Sequence, residues 1–202
     1  MRGTRSTLSE AASADHLKKK FCGACMWRQA IQRVLISESE LHQRIQALGR
    51  AITADYRGQD LMFVAVLKGA LMFCADLARA VDLPLTIDCI TLASYGPSRV
   101  SSGHVHLLTD LSESITGRPV LVIEDIIDTG LTLQYLWHHL AVRHPASLHV
   151  CTLLDKPSRR QVKLPIRYIG FEVPDTFVVG YGLDSDQRYR NLPFIGTLHP
   201  ER

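Results

Sequence analysis

An α/β fold, a parallel sheet flanked by helices, is predicted by three features of this sequence. First, 120–123 (Val-Leu-Val-Ile) is a short, wholly apolar run, the mark of a strand covered on both faces. Second, strand-like segments at 61–67, 85–93, 120–123, 147–154 and 167–171 alternate with stretches of helical periodicity. Third, the 202 residues are 46% apolar and 21% charged, which suits one globular domain with a sizeable core. No internal repeat is present.

The elements follow in chain order. Ser, Ala, Thr, Lys and Arg dominate residues 1 to about 30, and periodicity is poor, so 1–33 is expected to be a poorly ordered N-terminal extension of a domain spanning 34–202. Cys22 and Cys25 have metal-ligand spacing but no second pair, so no chemistry is assigned to them. Met26 is a candidate alternative translation start. Ser37 and Glu40 form a capping box for a helix whose stripe is Leu41, Ile45, Leu48 and Ile52. Residues 61–67 form a buried strand, 70–81 an apolar helix, and 85–93 a second strand rich in β-branched residues. Gly, Pro and Ser make 94–103 a mobile loop, and 104–108 can pair as a short strand. After the Gly117-Arg118-Pro119 break comes the strand at 120–123. Leu133, Leu136, Trp137 and Leu140 then mark a helix, and 147–154, 167–171 and 177–179 mark further strands.

Composition narrows function. The net charge of +3 argues against a dedicated nucleic-acid binder, and Lys18, Lys19 and Lys20 read as a solvated tail. No apolar run is long enough to cross a membrane, and 1–21 lacks the hydrophobic segment of a secretory signal. Cys74, Cys89 and Cys151 fall in apolar segments, as buried free thiols of a reducing cytoplasm. The histidines lack the spacing of a metal motif.

The segment after 120–123 carries the chemistry. Within nine positions stand Glu124, Asp125, Asp128, Thr129, Gly130, Leu131 and Thr132, followed by a helix. A strand, a polar turn and a helix N-terminus bind anions, because free backbone N–H groups and the helix dipole point at the ligand. Three acids in such a turn would repel a bare phosphate, so they imply a divalent cation, a ribose diol or a proton. As purely structural alternatives, Glu124 and Asp125 complement the helix dipole and Asp128 caps the helix. There is no Walker pattern, so triphosphate hydrolysis is disfavoured.

This run resembles the phosphoribosyl pyrophosphate (PRPP) signature of the type I phosphoribosyltransferases, within them the hypoxanthine-guanine branch. Five further motifs appear in the family's order between about Val34 and Pro200: Leu67-Lys68-Gly69, Ser94-Tyr95-Gly96, Leu154-Asp155-Lys156-Pro157, Pro174-Asp175 through Asp184, and Arg188 to Arg190. The resemblance implies a type I phosphoribosyltransferase fold with a small hood, built from the 34–40 region and the chain after about Lys163. It implies transfer of a 5-phosphoribosyl group from PRPP to hypoxanthine or guanine, with Mg²⁺ and release of pyrophosphate.

The resemblance also distributes roles. Glu124 and Asp125 hold the ribose hydroxyls or a Mg²⁺ shell, with Asp184 as a second metal ligand. Asp128 is the general base at purine N7. Asp128, Thr129, Gly130, Leu131 and Thr132 wrap the 5′-phosphate. Lys68 and Gly69 contact pyrophosphate in a turn that often has a non-proline cis peptide. Ser94 and Tyr95 open a lid. Lys156 donates to purine O6, which disfavours adenine. Phe177 stacks on the base and Val178 offers backbone groups to its edge. Arg190, or its neighbour Arg188, reaches pyrophosphate. Ser185 stands where many relatives have an aromatic residue. A homodimer or homotetramer is implied. The alternatives are a PRPP-sensing regulator on the same fold and a phosphoribosyltransferase preferring xanthine.

Overall fold

The computed structural model describes residues 29–94 and 105–200. The expectations for 1–28, including the Cys22/Cys25 pair, and for Tyr95 and most of the lid lie outside the described residues. Among the described residues the elements follow in the order β1 (Ile31–Ile36), α1 (Glu38–Asp55), β2 (Met62–Leu67), α2 (Leu71–Ala80), β3 (Thr86–Ser94), β4 (Val105–Thr109), β5 (Pro119–Ile127), α3 (Leu131–Ala141), β6 (Ser147–Asp155), a 3₁₀ turn (Pro157–Arg159), β7 (Ile166–Glu172) and β8 (Ile195–Leu198).

The main sheet has the order β4-β3-β2-β5-β6-β7. Its pairings are parallel except at β4, which returns antiparallel along β3 at the sheet edge. Alternate residues of each strand feed opposite cores. Phe63, Ala65, Leu121, Ile123, Cys151 and Leu153 pack with Leu41, Ile45, Leu48 and Ile52 of α1 and Phe73 and Leu77 of α2. Met62, Val64, Val66, Val120, Val122 and Val150 pack on Leu133, Leu136 and Leu140 of α3. Two covered faces explain why the strands read as apolar runs. Each fully buried aliphatic side chain contributes about 1.5–3 kcal/mol. Ile52, wholly buried at the base of the α1 stripe, is such a residue.

The capping box forms as the sequence predicts: Glu40 N–H donates to the Ser37 hydroxyl at 3.3 Å and Ser37 N–H to the Glu40 carboxylate at 2.8 Å. Arg44 of α1 donates to the carbonyls of Ile169 and Gly170 at 2.6 and 2.8 Å, tying the helix to the outer strand β7.

Three expectations and one structural alternative need correction. Residues 31–33 are not part of a poorly ordered extension. They lie in β1, which pairs antiparallel with β8 in a separate two-stranded sheet. The signature strand does not stop at Ile123; β5 runs on through the acids to Ile127, because β6 continues to offer ladder partners as far as Asp155. Residues 177–179 form no strand, since only Val179 finds a bridging partner, Gly196. Asp128 does not cap α3. That place is taken by Gly130 in a left-handed conformation with φ 84°.

Candidate active site

The strand order reverses between β2 and β5. From β2 the chain moves through α2 to β3 on one side, and from β5 through α3 to β6 on the other. The crevice beyond the carboxyl ends of two such strands is where open α/β sheets bind ligands. Here it receives the turn after β2 (Lys68, Gly69) and the turn after β5 (128–132).

The two turns touch. The peptide Leu67–Lys68 is cis. A Cβ on Gly69 would overlap the Asp125 carboxylate, so the residue type is fixed by close approach. Asp125 Oδ1 accepts the Ile126 N–H at 2.8 Å, which fixes the orientation of its carboxylate. The Glu124 carboxylate has no hydrogen-bond or ion-pair partner among the described residues. Burial first, and then the charge of Asp125, push the Glu124 carboxyl well above the usual range. Burial likewise raises Asp125 to about 6, against the lowering pull of backbone N–H groups and of Arg190. Two adjacent acids that ionise reluctantly want a cation.

Beyond β5, the turn makes a cradle. Gly130 combines positive φ with close packing, since a Cβ there would sit 2.8 Å from Val162. The first amide of α3 engaged within the helix is Gln134, which donates to the Gly130 carbonyl at 2.8 Å. The amides of Leu131, Thr132 and Leu133 therefore lie at the open helix end, with Leu131 N–H only 3.4 Å from the Thr129 hydroxyl. The cradle is held from outside by Gln161 N–H, which donates to the Thr129 carbonyl at 2.9 Å.

One side of the crevice gathers the residues assigned to the purine. Lys156 N–H donates to the Ile127 carbonyl at 2.9 Å, so the end of β6 is locked to the end of β5 just before Asp128. The Lys156 side chain is buried, and its ammonium lies 3.9 Å from Asp175. Arg159 Nε stands 2.5 Å from Asp128 Oδ1, and its Nη1 3.2 Å from Asp175. The Asp128 charge, then Asp175, hold the Arg159 guanidinium above its ordinary pKa. Phe177 is 58% exposed, an unusual state for a large aromatic and a platform on which a planar ligand can stack. Val178 is buried.

The opposite side gathers cations. Arg190 donates to the Gly182 carbonyl and pairs with Asp184 Oδ1, both at 2.7 Å. Gln187 N–H donates to Asp184 Oδ2 at 2.8 Å, while Gln187 Oε1 accepts from Arg190 at 3.3 Å and Lys68 at 3.5 Å. Tyr181, Asp186, Gln187 and Tyr189 all hold positive φ. Such strain in non-glycine residues persists only where surroundings enforce it, and it concentrates at ligand sites. A cavity of about 760 Å³ opens nearby between α1, α2 and residues 190–193, but of the chemistry-bearing residues only Arg190 lines it. The side-chain chemistry therefore locates the site, and that cavity does not.

The contacts thus bring together Gly69 with Asp125, Lys156 with the end of β5, and Arg190 with Asp184. Arg190, unlike Arg188, is placed to act on Asp125. Ser94 closes β3 opposite Val105. Sequence reasoning gave no role to Arg159, Asp175 or Gln187, whose parts depend on side-chain direction. Pro157, which opens the 3₁₀ turn, was the one available hint for Arg159.

The donor set fits a magnesium ion that brings its own partners. No three His, Cys, Asp or Glu side chains converge into a metal cage among the described residues. Glu124 and Asp125 offer hard oxygens, and Mg²⁺ is commonly held by one or two carboxylates plus water and substrate phosphates. Asp184, engaged by Arg190, stands close enough for its charge to act on Asp125.

The family model for the phosphoribosyl transferase domain matches residues 37–186. A hypoxanthine-guanine phosphoribosyltransferase of Mycobacterium avium is 51% identical over 176 residues, 84% of this chain and 87% of that protein. A bifunctional TilS/HprT protein of Listeria monocytogenes is 53% identical over 171 residues, covering 85% of this chain and 26% of the relative. The crystal structure of a hypoxanthine phosphoribosyltransferase from Staphylococcus aureus matches with a TM-score of 0.84 at 42% identity, over 89% of this chain and 97% of that one.

Proposed function

We infer what this chain does from one premise: it belongs to the phosphoribosyl transferase family. It is an enzyme of purine salvage that transfers the 5-phosphoribosyl group of PRPP to N9 of hypoxanthine or guanine. The N9–C1′ bond forms, the C1′–O bond to pyrophosphate breaks, and the purine gives up one proton. The products are IMP or GMP and pyrophosphate.

The observation that carries the assignment of roles is the meeting of two turns at the β2–β5 switch point, with Gly69 against Asp125 and Lys156 locked to Ile127. On this reading Glu124 and Asp125 hold the ribose hydroxyls or the water shell of Mg²⁺. The open amides of α3 with Thr129 and Thr132 hold the 5′-phosphate. Lys68 and Arg190 hold pyrophosphate beside Asp184. The chemistry supplied by Mg²⁺ when bound is neutralisation of charge on the departing pyrophosphate. Lys156 donates to O6, Phe177 stacks on the ring, and Val178 presents its backbone to the base edge. Asp128 accepts the N7 proton as C1′ gains cationic character. The β1–β8 unit serves as the hood. Association of copies of the chain as a homodimer or homotetramer is part of the same reading, by resemblance to the family. No helix among the described residues is long and apolar enough to cross a membrane.

The test is direct. Purified protein is incubated with PRPP, Mg²⁺ and, separately, hypoxanthine, guanine, xanthine and adenine, and nucleotide formation is followed. IMP and GMP are expected, with no AMP. Absence of product from every 6-oxopurine would overturn the reading, and xanthine as the best substrate would move it to that relative specificity.

A further inference from the structure

Arg159 opens no bond and touches no reacting atom in the scheme above, yet it spans the two acids that flank the purine side. It ends the 3₁₀ turn that begins directly after Lys156. Its Nε lies 2.5 Å from Asp128 Oδ1, and its Nη1 lies 3.2 and 3.3 Å from the two Asp175 oxygens. Asp175 in turn stands 3.9 Å from the Lys156 ammonium. Base, guanidinium, acid and O6 donor thus form one continuous chain of charge.

The contact with Asp128 is one-sided. Oδ1 is buried, and its charged neighbour is Arg159 Nε. The Asp128 side chain as a whole is still 43% exposed, which leaves Oδ2 as the accessible oxygen. A carboxylate torsion is soft and roughly two-fold. A guanidinium is a rigid planar fork, so one that grips two acids fixes their separation and facing.

We infer that Arg159 is a positioning residue for the proton transfer: it covers one oxygen of Asp128, turns the other to the purine, and through Asp175 braces that acceptor against the Lys156 ammonium. A 6-oxopurine presents N7 and O6 on one edge, so acceptor and donor must be held at one spacing. The backbone bond from Lys156 to Ile127 sets the strand ends, and Arg159 sets the side chains. The N7 proton passes to Oδ2 and neutralises Asp128, so what Arg159 contributes is the orientation of that oxygen up to the transfer. This inference rests on the roles proposed for Asp128 and Lys156.

The experiment is steady-state kinetics with PRPP, Mg²⁺ and hypoxanthine on the unaltered chain, Arg159→Gln, Arg159→Lys, Asp128→Asn and the Asp128→Asn/Arg159→Gln double variant. Arg159 is 41% exposed, so the variants are expected to fold. Arg159→Gln should lower kcat roughly tenfold, a part of the 10²–10⁴ that a positioned base contributes. It should raise KM for hypoxanthine while KM for PRPP stays within about twofold, and Arg159→Lys should recover part of the loss. In the Asp128→Asn background the further loss should shrink to less than about twofold. Three results would each overturn the inference: unchanged kcat and hypoxanthine KM in Arg159→Gln, an equal rise in KM for PRPP, or an undiminished loss in the Asp128→Asn background. Failure of the underlying functional reading shows itself differently, as no nucleotide from any 6-oxopurine with the unaltered chain.

Discussion

Gly69→Ala probes the junction on which the active site depends. The added methyl would fall inside the Asp125 carboxylate, overlapping both Oδ2 and Cγ. The carboxylate cannot simply swing aside, because Oδ1 is held by the Ile126 amide at 2.8 Å and Asp125 belongs to β5. The turn itself is trapped from above, since a Cβ on Gly182 would overlap the Gly69 carbonyl. Something must move by on the order of an ångström to restore ordinary contact, which lies near 3.5–4 Å. Overpacking of this kind costs about 1–3 kcal/mol of stability, which a domain stable by about 5–15 kcal/mol survives. A misplacement of roughly 1 Å at a reacting centre can cost about 10²-fold, equivalent to about 2.7 kcal/mol of barrier. The variant should therefore stay folded by circular dichroism while kcat/KM for PRPP falls about a hundredfold. KM for hypoxanthine should move far less, because Lys156 and Phe177 lie on the other side of the crevice. A folded Gly69→Ala protein that uses PRPP as well as the parent would refute the claim that this contact positions the acid pair.

Three further outcomes are expected. Lys156→Gln removes a buried charge-assisted donor, worth about 1.5–3 kcal/mol, so selection of 6-oxopurines should weaken roughly 10–100-fold while PRPP binding holds; equal losses in both would count against its placement at O6. Burial, and then Arg167, depress the pKa of His149, whose Nδ1 lies 3.3 Å from the Tyr56 hydroxyl. The unfolded chain therefore takes up this proton first as pH falls below about 6.5, so the contribution is complete above that value and is lost through the window beneath it. His149→Gln should flatten the fall in urea midpoint between about pH 7 and 5.5, and an unchanged slope would contradict the sign. Burial pushes the Cys74 thiol up to about 12, and that of wholly buried Cys151 higher still. Iodoacetamide at about pH 8 should leave the peptides carrying both residues unmodified until urea is added, since only the thiolate reacts; rapid native labelling of Cys151 would show that its burial is not maintained.

What could be read from the sequence was what is local. The apolar run at 120–123, the capping box at Ser37 and the α1 stripe each state their own structure within a few residues. The strands β1 and β8 escaped because a four-residue strand at Ile195–Leu198 is defined only by a partner more than 150 residues away. Conversely, 177–179 looks like a strand in composition, but no neighbouring strand offers a ladder, and Phe177 faces solvent instead. Extending β5 through Glu124 and Asp125 also depended on non-local information, namely that β6 remains alongside to its end.

The same distinction runs through the active site and explains which residues were missed. The motifs name each turn separately, but they cannot say that the turn after β2 and the turn after β5 are neighbours; that follows from the strand order, which puts β2 beside β5 and reverses direction there. Once they are neighbours, a glycine in one turn and an acid in the other become a single constraint. Arg159 and Gln187 belong to a third level. Neither has a distinguishing local pattern, since Arg159 is followed by Arg160, which instead pairs with Asp155. Gln187 acts through a positive-φ backbone that points its amide at Asp184 and its side chain at Lys68 and Arg190. Residues that touch substrate are constrained in type by the chemistry, and so they form motifs. Residues that orient them are constrained only by direction, and so they emerge when the chain has been folded around them.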